Sequence, residues 1–102
     1  MDPAKEPDIE ISDVVTSTAG RDQGKLFYVI DCDEVFLKLA NGKDRTLEKP
    51  KLKKRKHAQM VLRSETRVAE KLRNGDKVLN SELRRDLAYW SQKLQSNANG
   101  GF

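Results

Sequence analysis

Apolar positions along this chain follow two rhythms. Up to residue 62 they gather in short β-branched and aromatic runs, parted by Gly, Asn and Asp. A first strand is expected over residues 11–17, anchored by Ile9, Ile11, Val14 and Val15. A second is expected over residues 25–31. Its run Leu26-Phe27-Tyr28-Val29-Ile30 is continuous rather than alternating, which suits a strand buried on both faces. Asp31-Cys32-Asp33 reads as a turn, residues 34–40 as a third strand, and Asn41-Gly42 as a two-residue hairpin connection. A fourth strand is expected from residue 45 to 48, where Pro50 interrupts it because proline donates no ladder hydrogen bond. A fifth is expected over residues 57–62.

Beyond residue 62 the spacing becomes helical. Ser64 is a suitable N-cap, Val68 and Leu72 lie four apart, and Asn74-Gly75 supplies the stop. Asn80 or Ser81 caps a second helix. There Leu83, Leu87, Trp90 and Leu94 fall at i, i+4, i+7 and i+11, on one face. Five short strands with tight turns predict a small closed sheet, an SH3-like β-barrel, followed by two C-terminal helices that seal one open face or pair with each other. A half-open Greek-key barrel fits the same pattern. The expected boundaries are a disordered leader over residues 1–10, the barrel over 11–62, a two-helix extension over 63–95 and a frayed tail over 96–102.

The connection between the first two strands, Ala19-Gly20-Arg21-Asp22-Gln23-Gly24-Lys25, holds two glycines four apart. Glycine accepts positive φ without steric cost, so the segment predicts a tight connection with Arg21 and Lys25 flanking its tip. It is not a P-loop: the glycine spacing is one residue short, Leu26 stands where that motif has a hydroxyl, and no helix follows.

Composition narrows the classes. With 102 residues, 36% apolar and 35% charged, the chain is one small domain. It has no ~20-residue apolar run for a membrane span, and its acidic start has no signal-peptide h-region. One cysteine excludes a disulfide framework and a Cys-based zinc site. A monomeric, cytoplasmic protein is expected. Net charge is only +4, but it is unevenly placed. Residues 1–13 hold five acids against Lys5, whereas residues 49–56 hold six cations and no acid. Such a run suits a polyanionic partner. Read as a nuclear-localisation tag, Lys53-Lys54-Arg55-Lys56 would matter only in a eukaryotic source.

Val14-Val15, Gly20, Gly24, Lys25 and Phe27-Tyr28-Val29-Ile30 resemble the KOW motif of ribosomal proteins and NusG-type transcription factors. With the basic stretch and helical tail that follow, the chain is similar to bacterial KOW-domain RNA-binding proteins. That group is itself similar to the archaeal and eukaryotic large-subunit ribosomal proteins of the fourteen-e type. The resemblance runs from Ser12 to Leu94 and implies the SH3-like fold and rRNA contact on the large subunit, with ribosomal proteins as neighbours.

No catalytic constellation is visible. Asp31-Cys32-Asp33-Glu34 opens like a calcium loop but continues with Val35 and Phe36, and His57 is the only histidine. No enzyme, metal or cofactor is expected. The candidate RNA contacts are Arg21 and Lys25 on the hairpin, Lys43 and Arg45 on the next turn, and Lys49, Lys51, Lys53, Lys54, Arg55, Lys56 and His57. Phosphate contacts of this kind position a protein, and RNA shape then supplies selectivity. The alternative is a protein-interaction module of the transcription or translation machinery, but the chain offers few aromatics for a peptide groove.

Overall fold

The computed structural model describes residues 8–99. Five strands come first: β1 (Asp13–Ser17), β2 (Leu26–Cys32), β3 (Phe36–Ala40), β4 (Lys51–Lys54) and β5 (Ala58–Arg63). Helices α1 (Arg67–Asn74) and α2 (Asn80–Asn99) follow. The strands form one antiparallel sheet in the order β4-β3-β2-β1-β5. A single 3-10 turn, Arg55–His57, carries the chain from one edge strand to the other. The sheet is not closed by a ladder between β4 and β5, so the closed barrel expected from the strand pattern is replaced by an open, curled sheet. Two bulges, one in β5 at Val61 opposite Val14/Val15 of β1 and one in β2 at Ile30 between Val29 and Asp31, add the twist that curls it.

The continuous run in β2 is buried on both sides. Phe27 and Val29 point into a layer with Ile9, Val15, Leu37 and Leu39. Tyr28 points the other way, into a layer with Val14, Ala40, Val68, Ala69, Leu83 and Leu87. The helices therefore cover one face of the sheet, and the curl of the sheet over its own residues covers much of the other. Trp90 packs against the helical layer, as its phase predicts. Among the described residues no helix is long and apolar enough to cross a membrane.

Several boundaries differ from expectation, each for a local reason. β1 starts at Asp13 because Ser12 takes φ 75°, its N–H on Val29 O at 2.8 Å and its hydroxyl accepting from Arg73 Nη1 at 2.9 Å. Asp31 and Cys32 belong to β2. The turn is Asp33–Val35, where Asp33 Oδ1 accepts the N–H groups of Val35 and Phe36. Asn41-Gly42 does not close a two-residue hairpin. It opens a loop over residues 41–50, organised by Asn41 Oδ1 accepting from the N–H groups of Lys43 and Arg45. Consequently residues 45–48 are not a strand, and Pro50 precedes β4 instead of interrupting it. Thr66, not Ser64, caps α1, while Gly75 ends it at φ 74°. Glu82 reaches back to the Leu79 N–H at the start of α2, leaving Asn80 to hold the 41–50 loop through the Leu47 N–H and the Glu48 carboxylate. The expected tail over residues 96–102 is helical through Asn99; residues 1–7 of the expected leader and 100–102 of the tail lie outside the described residues.

Candidate nucleic-acid interface

β4 is an edge strand made almost wholly of lysine, and strand alternation sorts its side chains onto two sides. Lys51 pairs with Leu39 and Lys53 with Leu37, so both lie on the Phe27 side of the sheet. Leu52 pairs with Lys38 and Lys54 with Phe36, so these four share the opposite side. Lysine on an edge strand also blocks pairing with another sheet.

The glycine hairpin stands beside this edge. Gly20 and Gly24 take φ 81° and 85°, the conformation the sequence predicts. Gln23 N–H bonds Gly20 O at 3.2 Å and Lys25 N–H bonds Asp22 O at 3.0 Å, so the segment is two successive turns. Lys53 Nζ donates to Ala19 O at 3.1 Å. That bond brings the β4 edge against the hairpin carrying Arg21, which is exposed.

The expected cations divide by what they already hold. Lys25 Nζ lies 2.5 Å from Asp44 Oδ2 and 4.0 Å from Asp22 Oδ1. Arg45 Nη2 lies 3.0 Å from Asp22 Oδ2, whose side chain is buried. The Lys25 hydrogen bond, with help from Asn41, holds the Asp44 carboxyl down at about 2. Arg55 donates to Asp33 O at 2.7 Å and to Ile9 O at 2.8 Å, clamping residue 9 and the Asp33 turn beneath the sheet. These three cations tie loops together. Arg21, Lys43, Lys49, Lys51, Lys54 and Lys56, by contrast, have no carboxylate partner among the described residues, and His57 is half-buried with its carbonyl accepting from the Thr18 N–H.

Two features escaped the sequence. Lys38 joins the basic edge; its alternation with Leu37 and Leu39 is the signal that places it outward. The second is a polar seam under the helices. The Tyr28 hydroxyl meets Ser64 Oγ at 2.9 Å and bonds the Asp86 carboxylate, and Trp90 Nε1 donates to it at 3.0 Å. Thr66 Oγ1 donates to Asp86 at 2.8 Å while accepting the Ala69 N–H at the start of α1. Burial, then the bond to Asp86, pushes the Tyr28 hydroxyl above its ordinary value and keeps it a donor. No local pattern marks these residues, because the partners lie up to 62 positions apart.

Neither protein-family models nor curated proteins compared with the chain give a match.

Proposed function

We propose that this domain is an RNA-binding module of the KOW kind, docking through the β4 edge and the glycine hairpin on rRNA of the large ribosomal subunit. The observation that carries the reading is the disposition of charge. Lys49, Lys51, Lys54 and Lys56 crowd one edge with no carboxylate partner among the described residues, beside the exposed Arg21. Cations released from internal pairing exchange their counterions for phosphates, the main source of sequence-independent affinity. The SH3-like reading of the fold has its own support. The strand order, the single 3-10 turn between β4 and β5, the two bulges and the Lys53–Ala19 bond all fit an SH3-like sheet left open between β4 and β5. As a partner of rRNA the domain acts in the cytoplasm as a monomer, with ribosomal proteins as its neighbours.

The test is an RNA mobility shift at two salt concentrations, followed by co-sedimentation with ribosomal subunits from the native host. Four phosphates neutralised on single-stranded RNA give a log–log salt slope of about −3, from ~0.7 each. Absence of any shift at low salt overturns the reading. Binding to free RNA without sedimentation on large subunits leaves an RNA-binding module and removes the ribosome.

A further inference from the structure

One patch on the basic edge is apolar, and nothing in the described chain covers it. Leu52 is 54% exposed and Val35 is 52% exposed. Phe36 is half-buried, yet it packs against neither core layer. Alternation explains its isolation. Ala40 lies on the same side of β3 as Phe36 and is buried under the helices, but Phe36 is at the far end of the strand, beyond their cover. The antiparallel register sets Phe36 beside Lys54 and Lys38 beside Leu52, so two apolar and two cationic side chains alternate on one surface. Asp31 stands across from Lys38 on β2, but its carboxylate accepts from the Cys32 N–H, and Lys38 makes no ion pair among the described residues.

The patch is also rigid. Asp33 Oδ1 takes the N–H groups of Val35 and Phe36 at 2.8 and 2.7 Å, and the Arg55 N–H bonds Val35 O at 2.9 Å. The backbone N–H groups of Phe36 and Val35 hold the Asp33 carboxyl below its ordinary range, so that clasp persists through neutral pH.

We infer that Phe36 and Leu52, framed by Lys38 and Lys54, form a stacking platform for an unpaired nucleotide of RNA. An aromatic face takes any base, and flanking lysines take the adjoining phosphates. The inference rests on the RNA reading above and deepens it. The site selects single-stranded RNA over duplex, because paired bases are not free to stack.

The experiment compares the parent with Phe36→Leu and Phe36→Tyr against a single-stranded oligouridine and an RNA duplex of equal phosphate number, across salt. Phe36→Leu keeps an apolar side chain at the site but removes the ring. Its affinity for the single strand falls about tenfold with an unchanged salt slope, its affinity for duplex is unaltered, and Phe36→Tyr restores the parent value. Equal loss on both RNAs, or no loss on either while the parent keeps its salt-dependent binding, overturns the platform and leaves the electrostatic reading standing. If the parent binds neither RNA, the electrostatic reading falls and the platform with it. Nuclear magnetic resonance shifts at Phe36 with an acidic peptide but not with RNA would reassign the patch to peptide docking.

Discussion

Under the helices and along β4 the chain treats polar side chains in opposite ways. Around Tyr28 every polar group has a partner within the domain: Ser64, Thr66, Asp86 and Trp90 close on one hydroxyl. Along β4, Lys51, Lys54 and the neighbouring Lys49 and Lys56 have no acid partner among the described residues. Low dielectric makes an unsatisfied group costly in the first region, whereas water solvates it in the second. Polar groups that meet inside the fold stabilise this structure; those left over at its edge await something else. The acids follow the same division. Asp22 and Asp44 neutralise Lys25 and Arg45, and Asp13 pairs with Arg63.

The comparison is broken most severely where a helix and a loop touch. Gly42 takes φ 77°, and a Cβ there would sit 2.2 Å from Asn80 O and 3.1 Å from Leu83 Cβ. Gly42→Val is expected to cost about 3 kcal/mol, from strain and overpacking together. Gly24, at φ 85° with nothing within 4 Å of its missing Cβ, serves as the control: Gly24→Val loses only ~1 kcal/mol, from backbone strain alone. Urea denaturation of both variants measures the gap, and equal midpoints would refute the steric account of Gly42.

Next in size is Tyr28→Phe. It strips the hydroxyl that Asp86 and Trp90 share, and should cost ~1–3 kcal/mol for the buried groups left unpaired. RNA binding and its salt slope should not move, since no β4 cation is touched. A changed slope would mean that the two regions are not independent.

The reciprocal experiment replaces Lys49, Lys51, Lys54 and Lys56 by alanine. Stability should stay within ~0.5 kcal/mol of the parent, because these side chains hold no acid among the described residues. The salt slope should flatten by about 3, at ~0.7 per phosphate lost. Lys53 and Arg55 are left in place because each bonds backbone carbonyls. A variant that melts early would show that the edge is structural after all.

The smallest effect is a pH dependence at the Lys25–Asp44 pair. The carboxyl of Asp44 is lowered from 3.8 to about 2 in the folded protein. A depressed acid contributes its stability above the unfolded value and loses it as pH falls through the folded one. The pair therefore contributes fully above pH 3.8 and fades toward pH 2. The group is exposed, so salt screens the effect. Following the Asp44 carboxyl carbon by nuclear magnetic resonance should give a midpoint near 2, and Lys25→Met should move it upward; an ordinary midpoint in the parent would dissolve the pair.

Much of this architecture is legible in local sequence. The two positive-φ glycines of the hairpin, the doubly buried run of β2, the Gly75 stop and the inward Leu83, Leu87 and Trp90 each declare themselves within a few residues. What local pattern misreads is decided elsewhere in the chain. Asn41-Gly42 has the residues of a tight hairpin, but Asn80 and Leu83 of α2 press on Gly42 and the loop runs to Pro50. The basic run looks uniform in sequence. Distant carbonyls of Ile9, Ala19 and Asp33 remove Arg55 and Lys53 from it, and β3 adds Lys38. Lys25 and Arg45 look free until Asp22 and Asp44 are folded against them. Nor does strand count say whether a sheet closes, since that depends on whether its edges meet.

The place of β1 in the sheet governs the order in which the domain can be made. β1 lies between β2 and β5, and Asp13 faces Arg63 across fifty positions of chain. During synthesis β2, β3 and β4 can meander together as soon as residue 54 emerges, because each pairs with its neighbour in sequence. β1 can join β2 early, yet its other side stays an open edge until β5 arrives, and the helices that shield Tyr28 come later still. Such distant pairing slows folding through the entropy of closing a long loop. A nascent chain halted near residue 57 would thus present a half-guarded sheet with Val14 and Tyr28 uncovered. It is a species to which chaperones should bind and from which the finished domain is free.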